Sequence, residues 1–353
     1  MTRTAAVVGG GIGGLTAAIG LLAAGWQVTV YERGQTLPTT GTGLGIWPSA
    51  LHALDSLGIG AAVRAAGLPQ GNGAIRRPDG RPIVALDMDR IRARHGEPVH
   101  LVPRPALLRV LHGALPAGTV HFGVPVDDVT ALRAGHDVVI GADGIGSRVR
   151  TTLFGQRYGL RYTGATAWRG TADIDIDSGG ETWGTGARFG VTPQGPGQTN
   201  WYAVLTVPEN HRLTRPDADE LRHRFGHWHD PIPAVLDRYA TSDVIRHDLY
   251  HLAPALPTYV RGNVALLGDA AHAMTPDLGQ GACQAIIDGA ALARCLAGGG
   301  VEAGLRAYDR ERRRPTRRMA AASLIVNRLA QVRRWHSARD LTMRLALTFG
   351  PPA

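Results

Sequence analysis

Gly268-Asp269-Ala270-Ala271-His272-Ala273-Met274-Thr275-Pro276-Asp277-Leu278-Gly279-Gln280 is the stretch whose reading decides the fold of this 353-residue chain. The apolar run Val264-Ala265-Leu266-Leu267 leads into it, and Gly281 opens an alanine-rich helical stretch behind it. So short an apolar run reads as a buried strand. Asp269 then falls at a strand tip, a position for a ligand rather than for a core.

A second fingerprint lies far upstream, where Gly9-Gly10-Gly11-Ile12-Gly13-Gly14 carries the pattern G-x-G-x-x-G. Thr4 to Val8 reads as a buried strand, and Leu15, Ala18, Ile19 and Leu22 recur at helical spacing until Gly25 ends the helix. Gln27 to Glu32 alternates and closes a βαβ unit on an acid. Gly9 permits the tight turn, Gly11 lets backbone approach a pyrophosphate, Gly14 lets helix pack on strand, and Glu32 is placed for a ribose. The helix start favours phosphate by about 0.3 to 1 kcal/mol for an exposed charge. Together the two fingerprints point to bound FAD.

Composition removes other classes. A hydrophobic content of 44% suits a globular protein, and no basic segment followed by an apolar stretch opens the chain. Ala17 to Ala24 is too short to span a bilayer, so a cytoplasmic protein without a membrane span is expected. Cys283 and Cys295 form no C-x-x-C, which argues against a disulfide framework or a cysteine zinc site. The formal charge of +9 comes without a single lysine, which excludes Schiff-base catalysis. Arg310 to Arg318 reads as a solvated helix face, and no nucleic-acid partner is expected. His223, His227 and His229 fall at the polar end of a helix that starts near Asp217. Asp173, Asp175 and Asp177 alternate with Ile174 and Ile176 as one wet strand face. Neither group suits a metal, and none is expected.

A third element, His136-Asp137-Val138-Val139-Ile140-Gly141-Ala142-Asp143-Gly144-Ile145-Gly146-Ser147-Arg148-Val149-Arg150, again runs an apolar strand into an acid and glycines. With all three in order, the chain resembles the single-component (group A) FAD-dependent aromatic hydroxylases, the family of para-hydroxybenzoate hydroxylase, salicylate hydroxylase and FAD-dependent urate hydroxylase. The resemblance implies an α/β fold: a Rossmann-like FAD-binding domain of the GR2 type, an inserted, mostly antiparallel β-sheet substrate domain, and a helical C-terminus. It implies non-covalent FAD and a transient NADPH or NADH, since no second dinucleotide fingerprint exists. It also implies a flavin C(4a)-hydroperoxide that hydroxylates or epoxidises an aromatic or other electron-rich small molecule with oxygen from O2.

By the same resemblance, Arg33 lies beside the adenosine, and Gly45 belongs to a glycine-dense loop that touches the flavin. Arg104 contacts the flavin, Asp143 and Gly144 match a motif for FAD and NADPH, and Asp269 after Gly268 takes the ribityl chain. Pro276, Gly279 and Gly281 match the loop beside the flavin ring, whereas His272 reads as a holder of backbone. The aromatic density between Leu160 and Tyr250 supplies pocket candidates Trp168, Arg188, Trp201 and Tyr202. Two departures stand out: Val120 to Asp137 is too short for the hairpin usual in relatives, and Ser49 replaces a common asparagine.

The expected organisation is discontinuous. Residues 1–75, 98–158 and 251–300 form the FAD domain, 76–97 and 159–250 the substrate domain, and 301–353 a helical segment that packs along the FAD domain or contributes to a dimer. A monomer or a homodimer fits equally. An oxidase or reductase on the same scaffold stays open, as does a flavoprotein that only sequesters a small molecule. No general base for a phenol stands out.

Overall fold

The computed structural model describes residues 2–213, 215–239, 244–332 and 339–343. Thr4–Val8 is almost wholly buried because parallel neighbours flank it: Gln27–Glu32 on one edge and Val138–Gly141 on the other. The sheet continues through Val264–Leu266 to Val260–Arg261 on one side and to Val120–Phe122 on the other. Only the Val260–Arg261 hairpin strand is antiparallel.

Two helices, Ile12–Ala23 and Gly281–Ala297, pack side by side on this sheet. Their contact is made by small residues in parallel register. A Cβ on Gly13 would lie 3.3 Å from Ala285 Cβ, one on Gly289 would lie 2.8 Å from Ala17 N, and one on Gly20 would lie 2.5 Å from Ala293 Cβ. Both helix N-termini therefore open at the same end of the sheet, beside the strand tips that carry Glu32 and Asp269.

The second sheet has seven strands in the order Ile245–Ala253, Gly159–Ala172, Gln198–Thr206, Ala187–Gly195, Gly180–Trp183, Gly73–Arg76 and Pro82–Leu86. Its pairs are antiparallel except for Gly180–Trp183 with Gly73–Arg76. Directly opposed residues share a face, so the register sorts the side chains. Trp168, Phe189 and Trp201 point one way, into a core closed by helices Asp217–Phe225 and Ile232–Arg238. Arg169 opposes Tyr202, Tyr202 opposes Gly190, and Gly190 opposes Glu181, so these residues line the other face with Arg188. That polar face meets the first sheet's domain: Asn200 Oδ1 accepts the Gly43 N–H at 2.8 Å, and Arg188 reaches Asp277.

A long helix, Val301–Ala330, runs along the dinucleotide-binding unit. Tyr308 donates its hydroxyl to Leu266 O at 2.9 Å, and Ser323 donates to Thr275 O at 2.6 Å. Its buried positions include Arg312, Thr316, Ser323 and Asn327. Arg312 departs from the expected solvated arginine face: it turns inward because Asp288 waits there.

Two more expectations are corrected. Asp173 to Asp177 is irregular rather than a strand, since the preceding strand ends at Ala172 and Ile174 O accepts from Thr199 Oγ1 at 2.6 Å. The helix Asp217–Phe225 ends before His227 and His229, which therefore lie beyond it, with His229 Nε2 2.8 Å from Thr182 Oγ1; among the described residues no three His, Cys, Asp or Glu side chains gather as metal ligands. The short segment after Val120 holds one three-residue strand and the helix Thr130–Gly135. Of the C-terminal segment, 333–338 and 344–353 lie outside the described residues. No helix among the described residues is long and apolar enough to cross a membrane.

Candidate active site

The glycine turn at the tip of Thr4–Val8 is built for close approach. Gly9 has φ +109°, and a Cβ there would stand 2.4 Å from Ala142 O. Gly14 is tighter still, with its would-be Cβ 2.0 Å from Gly9 O. A Cβ on Gly11 would meet nothing within 4 Å. Gly9 and Gly14 thus answer to the protein's own packing, while Gly11 faces open space at the helix start.

Glu32 ends its strand with both carboxylate oxygens in use: Oε2 accepts the Gly10 N–H and Oε1 the Gly34 N–H, each at 2.7 Å. Each oxygen keeps a lone pair for a hydroxyl donor. Arg33 beside it is exposed. Asp269, at the tip of the Val264–Leu266 strand, has no hydrogen-bond partner for its carboxylate among the described residues. That carboxylate is open to solvent yet surrounded by protein, as the floor of a recess would be. Burial pushes its pKa up, with His272, Arg150 and Arg104 opposing.

The loop carrying Asp269 is held from beneath. Asp288 Oδ2 accepts from Gly268 N at 2.9 Å and lies 2.5 Å from His272 Nε2, while Arg312 Nε donates to Asp288 Oδ1 at 2.7 Å. Burial alone would raise the Asp288 carboxyl, but His272 and Arg312 outweigh it and hold the pKa down at about 2. Arg150, 3% exposed, donates to Asp269 O, Ala270 O and Ile145 O, and so joins the turn after Asp143 to the loop of Asp269.

Asp143 acts within its own turn, where Ser147 Oγ donates to its Oδ1 at 2.5 Å and Val149 N to its Oδ2 at 3.1 Å. Gly144 takes φ +80° in the same turn. Arg104 opens helix Arg104–Gly113 with its side chain exposed and its N–H on Thr42 O. Gly45 lies in the strand Gly43–Ile46, and its carbonyl accepts from Cys283 Sγ at 3.2 Å. Pro276 begins a 3-10 turn that Gly279 closes at φ +62°, and Gly281 starts the next helix.

Of the pocket candidates, Arg188 and Tyr202 line the face toward this recess. Trp168 and Trp201 are corrected: the register puts both on the opposite face, fully buried, with Trp201 stacked on Phe189. Arg188 Nη2 stands 2.5 Å from Asp277 Oδ1 and its Nη1 3.3 Å from Glu181 Oε1. Burial works against the Arg188 charge, but those carboxylates keep it firmly protonated. Tyr202 is raised well above its ordinary range, by burial and then by Glu181, and stays a neutral donor. Arg169 has no partner among the described residues, and burial lowers its pKa. His247, near Arg169, is lowered to about 4 by burial and by that guanidinium, so it is neutral at ordinary pH.

Sequence reading missed Glu181, Asp277, Asn200, Arg150, Asp288 and Arg312 as site residues. The sequence carried a signal for Glu181 alone, an acid alternating with Trp183 in a strand-like run.

A strand-tip acid without a partner, an amide-held acid on the next strand and an open helix start suit a ligand with a ribityl chain, a ribose and a pyrophosphate. FAD fits these residues. The sequence matches the family described as FAD binding domain over residues 2–323. It is 37% identical to an aurachin C monooxygenase/isomerase of Stigmatella aurantiaca, with 97% of this chain and 94% of the relative covered. It is 31% identical to an FAD-dependent urate hydroxylase of Klebsiella pneumoniae, covering 87% and 85%. Klebsiella pneumoniae HpxO, solved with FAD and uric acid, superposes with a TM-score of 0.88 at 26% identity, covering 97% of this chain and 93% of that one.

Proposed function

From the premise that the chain belongs to the FAD binding domain family of flavoprotein monooxygenases, we propose that it oxygenates a planar, electron-rich heteroaromatic held against the polar face of the seven-stranded sheet. It is an FAD-dependent monooxygenase, and thus an oxidoreductase. When bound, FAD would relay two electrons from NADPH or NADH to O2, so that one oxygen atom enters the substrate and the other leaves as water.

The chain's residues do the rest. Gly9, Gly11 and Gly14 shape the turn and helix start that take the pyrophosphate, Glu32 takes the adenosine ribose with Arg33 beside it, and Asp269 takes the ribityl hydroxyls. Arg104 and the Gly45 strand wall the flavin cleft, and the turn from Pro276 through Gly279 to Gly281 offers amides at its end. Asp143 and Gly144 serve this site by holding the turn that carries Arg150. Tyr202 and Arg169 donate to substrate acceptors, and the sheet excludes water from the reacting carbon. The division into FAD segments 1–75, 98–158 and 251–300, substrate segments 76–97 and 159–250, and a helical remainder is part of this reading, with the strands Gly73–Arg76 and Ile245–Ala253 of the seven-stranded sheet moving two of those boundaries by a few residues.

One observation carries the substrate position: of the two faces of the sheet, the polar one, with Arg169, Tyr202 and Arg188, meets the turn at Asp277 next to the helix start at Gly281. The named relatives include enzymes of aurachin C and urate, which suits a heteroaromatic. The test is a screen of quinolones, purines and pyridinols for stimulated NAD(P)H oxidation under heavy-oxygen gas. Label in the product supports the reading; an unlabelled product points to an oxidase.

A further inference from the structure

We propose that Glu181 is a specificity-determining residue that tunes this pocket to uncharged substrates by cancelling the guanidinium of Arg188. The inference rests on the reading of this face as the substrate wall.

Glu181, Gly190 and Tyr202 lie in one row across three neighbouring strands. A Cβ on Gly190 would fall 2.2 Å from the Tyr202 ring and 2.6 Å from its hydroxyl oxygen. The ring therefore lies flat over the glycine, with its hydroxyl directed along the row. Next to this row, Arg188 stands between two carboxylates, Asp277 at 2.5 Å and Glu181 at 3.3 Å. Asp277 takes the guanidinium and an Asn327 N–H at 3.2 Å on Oδ1. Each carboxylate also keeps one buried oxygen without a hydrogen bond, Oδ2 of Asp277 and Oε1 of Glu181. The Glu181 carboxylate sets a negative charge beside Arg188, with the Trp183 and Tyr202 side chains also acting on it.

The charge count on the wall follows. Two carboxylates, Asp277 and Glu181, are set against the guanidiniums of Arg188, which pairs with both, and of Arg169, and His247 is neutral. A carboxylate-bearing aromatic would find no net positive charge and would add a third anion beside a buried pair. A neutral ring loses nothing. With Glu181 made neutral, the same wall carries one positive charge and favours an anion.

The experiment uses the FAD-loaded full chain and two ligands of equal shape, 1-naphthoate and 1-naphthamide, with binding read from the flavin absorbance difference. The wild type is expected to prefer the amide. Glu181→Gln is expected to tighten 1-naphthoate by about tenfold or more and to change 1-naphthamide by less than about threefold. A variant that leaves naphthoate unchanged, or shifts both ligands together, overturns the inference and leaves the substrate wall intact.

A second measurement needs no variant. The groups acting on Glu181 are Arg188, Asp277 and Tyr202, with the Trp183 side chain beside it and Arg339 above that ring. Burial raises the Glu181 carboxyl first, with Arg188 opposing. Naphthoate should therefore bind the wild type more tightly as pH falls through that raised titration, while naphthamide stays level. A level naphthoate curve overturns the inference. If neither ligand perturbs the flavin at any pH, the reading of the wall fails and the inference with it.

Discussion

Arg312 Nε donates to Asp288 Oδ1 at 2.7 Å, and the other oxygen of the same carboxylate holds Gly268 N and His272. One buried acid thus ties the C-terminal long helix to the loop that presents Asp269. Removing one partner from such a buried pair costs about 3 to 5 kcal/mol, because the other charge is left without compensation.

Asp288→Asn should therefore lower stability by roughly that amount and weaken FAD binding. The pH dependence of the wild-type minus variant difference checks the assignment. The Asp288 pKa is depressed to about 2 from an ordinary 3.8, so its contribution is fully present above the ordinary value and disappears as pH falls through about 2. Urea unfolding across that acid window measures it. A difference that grows toward low pH would contradict the assignment.

Asp269→Asn separates ligand from fold. Its carboxylate has no protein partner among the described residues, and burial raises its pKa, so the apoprotein should melt at an unchanged or slightly higher temperature. FAD affinity should fall by about 1.5 to 3 kcal/mol, the range for a hydrogen bond to a charged group. Fluorescence titration of apoprotein with FAD decides it.

Gly11→Ala and Gly14→Ala should part company. The first meets open space, so the apoprotein keeps its stability while FAD affinity drops by about tenfold or more. The second drives a methyl to 2.0 Å from Gly9 O and should impair folding itself. Equal losses of apoprotein stability would refute the distinction.

Trp201→Phe and Tyr202→Phe test the two faces of one strand. Trp201 lies behind the sheet against Phe189, so its replacement should cost stability, less than the about 3 to 5 kcal/mol of a truncation to alanine, with substrate KM unchanged. Tyr202 should show the reverse pattern, with little stability lost and KM raised.

The dinucleotide-binding unit was legible because its constraints are local. A strand, a glycine turn and a helix face are contiguous in sequence, and Gly9, Gly14 and Glu32 act on atoms of that same unit. The roles of Arg150 and Arg312 were not legible. Arg150 reaches a loop 119 residues away, and Arg312 sits in an arginine run where sequence gives no reason to single it out.

By itself, the sequence determined that three strand tips end in acid and glycine, and from these the α/β class and the flavin followed, since backbone conformation and strand polarity are short-range properties. Which residues face the substrate was decided only by the tertiary structure. Trp201 and Tyr202 are adjacent in the chain and alternate along the strand, but alternation does not say which face meets the flavin domain. The packing of two helices behind Trp201, and of Asp277 before Arg188, chose the face.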